Sequence, residues 1–199
     1  MKKSLVIWAL TFSVVGFTQN IKIQGIIDGP LSGGTPKMLE LYVMSDVPDL
    51  SVYGVDVASN DGVSGGQDFA LPAGSASAGD HLYFSAHAAE ISTYFEMPGI
   101  TVNNNSISVN GNDAIVLYFN GTAYDVYGYD GVNPVPDNSD YLDSTAYRNA
   151  SALPTLTFNA ADWDIPGPNL LDGCTLNSTC GTSYPLGTLP VELMNFSVE

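Results

Sequence analysis

No stretch of this chain keeps its apolar residues at helical spacing. Short runs rich in Val, Ile, Tyr and Phe recur instead, each closed by Gly, Pro, Asn or Asp, which is the pattern of an all-β protein. The runs that read as strands cover residues 21–27, 38–44, 51–58, 81–86, 106–109, 114–119 and 123–129, and only 86–95 reads as a short helix. Along Ala114-Ile115-Val116-Leu117-Tyr118-Phe119, one face takes Ile115, Leu117 and Phe119 and the other takes Val116 and Tyr118. Both faces of that strand are therefore expected to be covered. Asn120-Gly121 supplies the positive φ angles of a tight primed turn, so residues 118–126 are expected to form a hairpin. Strands and turn signals at this spacing predict an immunoglobulin-like β-sandwich. The segment 131–143 carries prolines and acids without an apolar period and reads as an exposed loop.

The two ends of the chain have a different character. Lys2 and Lys3 precede an apolar run over 5–15, with small Gly16 and Thr18 behind it. That run is too short to span a bilayer, and the pattern predicts a signal peptide over 1–19. A single β-sandwich domain is then expected over 20–185. From 186 to 199 the chain reads as a linker toward a further module, with Leu189-Pro190-Val191-Glu192-Leu193 restarting a strand-like pattern.

Charge narrows the choice of partner. The chain has 5 Lys+Arg against 21 Asp+Glu, a formal net charge of −16. Past the expected leader the bases are Lys22, Lys37 and Arg148. Binding to nucleic acid or to anionic membrane needs clustered cations, and three scattered ones make no such patch. Cys174 and Cys180 enclose five residues with no nearby His or further Cys. A local disulfide, formed in an oxidising compartment, is the expected outcome.

Residue types that carry catalysis are sparse. His81 and His87 lie six apart on an apparent strand, which at about 3.3 Å per residue holds them roughly 20 Å from each other, so surface or loop positions are expected. Gly62-Val63-Ser64-Gly65-Gly66 comes nearest to a nucleophile elbow but lacks the following helix. No phosphate-binding or dinucleotide fingerprint occurs. With so many acids, picking two for glycoside hydrolysis carries no information.

One acidic region offers the hard oxygen ligands that Ca²⁺ prefers: Asp125, Asp130, Asp137, Asp140 and Asp143, of which Asp130, Asp137 and Asp140 form the candidate set. Asp61 and Asp68 are a weaker second candidate. The competing reading is a solvated loop of Asx turns. Tyr124, Tyr127, Tyr129, Tyr141 and Tyr147 form either a carbohydrate-stacking face or a set of half-buried strand residues.

Taken in order, several segments resemble the lamin-tail domain family. These are Gln24-Gly25-Ile26-Ile27-Asp28, Lys37-Met38-Leu39-Glu40-Leu41-Tyr42 and Asp49-Leu50-Ser51-Val52-Tyr53-Gly54-Val55. They are followed by Asn110 to Leu117, Gly121, Asp125-Val126-Tyr127-Gly128, Ala146-Tyr147-Arg148 and Phe158 to Trp163. The last two look like the extension found in secreted members from Bacteroidota-like bacteria, and the ending resembles the junction before a type IX secretion sorting domain. The resemblance implies an immunoglobulin-like sandwich and a non-catalytic module, often joined to secreted hydrolases. Glu40 and Arg148 are rare charges in apolar surroundings, and at least one is expected to be paired and structural.

The expected function is that of a secreted, non-catalytic module at the bacterial cell surface. It would serve adhesion toward an extracellular protein or glycan, or act as an accessory domain. Part of a Ca²⁺-dependent nuclease or phosphoesterase is the first alternative, and a carbohydrate-binding module the second.

Overall fold

The computed structural model describes residues 20–60, 62–97, 102–104, 107–132 and 136–187. The expected leader, Asp61 and most of the expected C-terminal linker lie outside the described residues. Among the described residues there are ten strands: β1 (Ile21–Leu31), β2 (Thr35–Val43), β3 (Tyr53–Ala58), β4 (Phe69–Ala70), β5 (His81–Ser85), β6 (Val102–Asn104), β7 (Ala114–Phe119), β8 (Thr122–Tyr127), β9 (Ser144–Arg148) and β10 (Trp163–Asp164). One short helix, α1 (Ala88–Tyr94), joins them. The strands form a six-stranded sheet, β10-β9-β1-β2-β5-β6, and a four-stranded sheet, β4-β3-β7-β8. The expected all-β sandwich is the observed architecture.

Between the sheets, Ile21, Ile23, Ile26, Leu39, Leu41 and Val43 meet Val55, Ile115, Leu117 and Tyr127. Strict alternation along β1 would follow Ile21 and Ile23 with positions 25 and 27 on the same face. Instead Ile26 faces the inter-sheet core and Ile27 faces outward. The cause is a bulge at Gln24, where Ile23 pairs with Leu41 and Gly25 already pairs with Glu40. One extra residue reverses the parity of everything after it.

The outer face of the six-stranded sheet is covered as well. Ile27, Met38 and Tyr147 pack there against Ile91, Tyr94 and Phe95 around α1, and against Leu171 and Tyr184 from the C-terminal segment. Within that segment Cys174 and Cys180 are joined by a disulfide with Cα atoms 5.4 Å apart. Covering on both faces explains why β1 and β2 are buried almost without a break. On the four-stranded sheet, Val116, Tyr118 and Val126 make a smaller outer cluster, which gives β7 the two covered faces its sequence predicts.

The hairpin of β7 and β8 turns at Asn120 (φ 48°) and Gly121 (φ 73°), as expected. Three expectations are corrected. Residues 107–109 are not a strand; Ile107 and Val109 are buried, but the strand in this region is Val102–Asn104. Segment 131–143 is not wholly exposed, because Ser139 and Tyr141 are buried. Finally, β4, β6, β9 and β10 lie outside the expected strands.

Gly25 sits where this packing leaves no room. A Cβ added there would lie 2.0 Å from the Tyr184 Oη and 2.7 Å from the Tyr147 ring. Gly25→Ala is therefore expected to destabilise the fold by about 1–3 kcal/mol through overpacking, read as a lower urea midpoint. Gly65→Ala, whose added Cβ meets nothing within 4 Å, should leave the midpoint in place.

Candidate functional site

Most of the buried charge lies in three clusters, and the largest joins the two sheets. On β9 alternate residues point inward, so Ala146 enters the core and Arg148 follows two positions later. Its guanidinium meets Asp125 of β8 in a two-pronged contact, Nη1 to Oδ2 and Nη2 to Oδ1, each 2.8 Å. The same carboxylate accepts the backbone N–H groups of Ile23 (2.9 Å), Thr155 (3.0 Å) and Val126 (3.1 Å). Arg148 also lies over the Trp163 ring, 4.5 Å from its centroid. Nearby, Lys22 donates to the carbonyls of Ala150 and Ala152, each at 3.1 Å. Burial, helped by repulsion from Arg148, lowers the Lys22 ammonium to about 8, against a partial counterweight from Asp125.

The second cluster lies on the outer face of the six-stranded sheet. Glu40 of β2 is fully buried. One of its oxygens contacts His81 Nδ1 at 2.5 Å, and the other accepts the Tyr184 hydroxyl at 2.6 Å. Burial first, and then the neighbouring Glu40 carboxylate, push the Tyr184 phenol well above its ordinary value. The His81 ring also packs at a tilt on Tyr42, 5.1 Å between centroids. A carboxylate on Nδ1 fixes the orientation of an imidazole. Here it also fastens the C-terminal segment to the sheet through Tyr184.

The third cluster sits at one end of the sandwich. Asp28 and Lys37, directly opposite on β1 and β2, pair at 2.6 Å, and Lys37 also donates to the Val109 carbonyl. Burial raises the Asp28 carboxyl, and the bond from Lys37 opposes that shift.

The residues singled out from the sequence fall as follows. Asp125 is taken up by Arg148 rather than by the acidic loop. Asp130 accepts the Ser64 N–H at 2.6 Å, and Asp140 accepts the Leu142 N–H at 2.9 Å. Asp137 is exposed at the start of a short 3-10 turn. The structure does not gather these three, and among the described residues no group of three or more His, Cys, Asp or Glu is placed to hold a metal ion.

The five tyrosines do not form an open face. Tyr127, Tyr141 and Tyr147 are buried, while Tyr124 donates to the Ile21 carbonyl and Tyr129 to Asn138. His81 is not a surface histidine, since it is half-buried against Glu40, whereas His87 stands just before α1. Sequence reasoning missed the Glu40–His81 contact because it depends on the β2–β5 register. Among the described residues, no helix is long and apolar enough to cross a membrane.

No protein-family model, curated protein or solved structure matches the chain.

Two tests address the inter-sheet cluster. Asp125→Leu and Arg148→Leu should each cost about 3–5 kcal/mol by stranding a buried charge, while the double variant loses less than the sum of the two. Denaturant midpoints of the four proteins measure this directly.

Lys22 gives a pH signature. Between about 8 and its ordinary 10.5 the unfolded chain holds a Lys22 proton that the folded chain has released. Stability therefore rises with pH across that window and is lowest beneath it. Buried tyrosines close the window near pH 10, since Tyr94, pushed up to about 12 by burial, keeps its proton only in the folded state. Melting temperature should climb by a few degrees from about pH 7.5 to about pH 9.5. The Lys22→Met variant should show a flat profile.

Proposed function

We propose that this chain is a secreted, non-catalytic β-sandwich module of immunoglobulin-like, lamin-tail type. It acts at a bacterial cell surface, or outside the cell, as a binding or accessory domain toward an extracellular protein or glycan. The observation that carries the reading is the use made of buried ionisable groups. Asp125 and Arg148 join the sheets, Glu40 and Tyr184 fasten the C-terminal segment, and Asp28 and Lys37 bridge β1 and β2. These contacts hold the scaffold together.

What faces water is mostly neutral or acidic, with a few large apolar side chains such as Val63, Leu153 and Leu156 set on loops. Recognition by loops on a rigid scaffold is the common arrangement of such modules. Two further points support the reading. The segments that resemble the lamin-tail family fall in order on β1, β2, β3, β7, β8 and β9, and the Cys174–Cys180 bridge suits an oxidising compartment.

The hydrolase alternative has one observation in its favour, the His81–Glu40 contact. A turnover screen of the purified chain separates the two readings, using single- and double-stranded nucleic acid, a chromogenic phosphodiester and soluble polysaccharides, with Ca²⁺ and with chelator. No turnover is expected on any of them. Hydrolysis that disappears in His81→Ala, or in Asp130→Ala with Asp140→Ala, would overturn the non-catalytic reading.

A further inference from the structure

We propose that the loop between β9 and β10 is the docking face for a cationic protein partner, with Leu153 and Leu156 as its apolar anchors. The inference rests on the binding-module reading and specifies its partner and its surface.

Leu153 is 71% exposed and Leu156 is 60% exposed, yet the backbone that carries them is held down from below. Lys22 holds the carbonyls of Ala150 and Ala152 on one side of Leu153. On the other side the Thr155 N–H goes to Asp125 at 3.0 Å, and the Thr155 carbonyl accepts the Val126 N–H at 3.0 Å. Beyond Leu156, Phe158 packs edge-on to Tyr127, with 5.2 Å between ring centroids. Two buried charges and an aromatic contact thus fix a loop whose large side chains point away from the protein. Apolar anchors on a loop already held in shape lose little freedom when a partner covers them, which lowers the ordering cost of binding.

Charge selects the occupant. Lys22, Lys37 and Arg148 are all buried, so the described surface presents no Lys or Arg side chain. Asp162 and Asp164 flank the loop: the Asn149 N–H reaches the Asp162 carbonyl at 2.9 Å, and Asp164 is exposed on β10. A second copy of this chain would bring the same sign to the contact and be repelled. The fitting occupant is a protein surface with an apolar socket ringed by Lys or Arg.

A library of displayed random cyclic peptides, selected against the full chain, tests this. Enriched peptides should combine Lys or Arg with Leu, Phe or Trp. Their affinity should fall at least about tenfold in the L153S/L156S double variant, and should also fall between about 50 mM and about 500 mM NaCl. V63S, which changes an equally exposed side chain (73%) in another loop, should leave binding unchanged. An unaltered unfolding midpoint in L153S/L156S shows that lost binding is not lost folding.

Enriched peptides without basic residues, or peptides indifferent to L153S/L156S, overturn the proposal. Loss of binding in V63S instead also overturns it, while leaving the binding-module reading in place. Failure to enrich any peptide overturns the docking face, and turnover in the activity screen is what would remove the module reading itself.

Discussion

A single carboxylate holds the two layers of this protein in register. Asp125 lies between the sheets, where an unpaired charge would be prohibitively costly, and it receives five hydrogen bonds: two from Arg148 and one each from the backbones of Ile23, Val126 and Thr155. Those donors come from β9, β1, β8 and the β9–β10 loop. The bulge at Gln24 belongs to the same assembly, because it follows directly on the residue whose N–H Asp125 receives. A small irregularity in one strand and a buried charge in the other sheet are thus two parts of one joint.

The outer layer follows a related logic at a different place. On a strand with one wet face Glu40 would need no partner, but β2 is covered on both sides. His81 and Tyr184 each take one of its oxygens, and Tyr184 brings with it the disulfide-bridged segment that packs beside α1. The carboxylate is tolerated because the C-terminal segment satisfies it, and the segment is positioned because the carboxylate is there.

Much of the architecture was legible in the residues. The apolar runs of β1, β2, β3, β5, β7 and β8, and the Asn120-Gly121 turn, announce themselves because strand burial and positive φ demand particular side chains. β9 escaped because Ser144-Thr145-Ala146-Tyr147-Arg148 has only small, polar or charged neighbours around one tyrosine. Its inward arginine becomes sensible only once Asp125 is opposite. Asp125 itself was grouped with the loop acids by nearness in sequence, whereas a carboxylate on a strand reports to whatever lies across the core. The Glu40–His81 contact was hidden for the same reason: strand register is a property of pairs, and a single strand does not state it. Ser139 and Tyr141 were misjudged because one buried hydroxyl and one buried ring in a proline-bearing stretch produce no periodicity.

The inward placement of every described cation has a consequence for how the molecules behave in bulk. Their exteriors carry one sign, so crowded solutions are kept dispersed by mutual repulsion, and that protection is strongest when little electrolyte is present. Near the isoelectric point of about 4.1 that the sequence sets, the repulsion vanishes, and acidified preparations lose their guard against clumping.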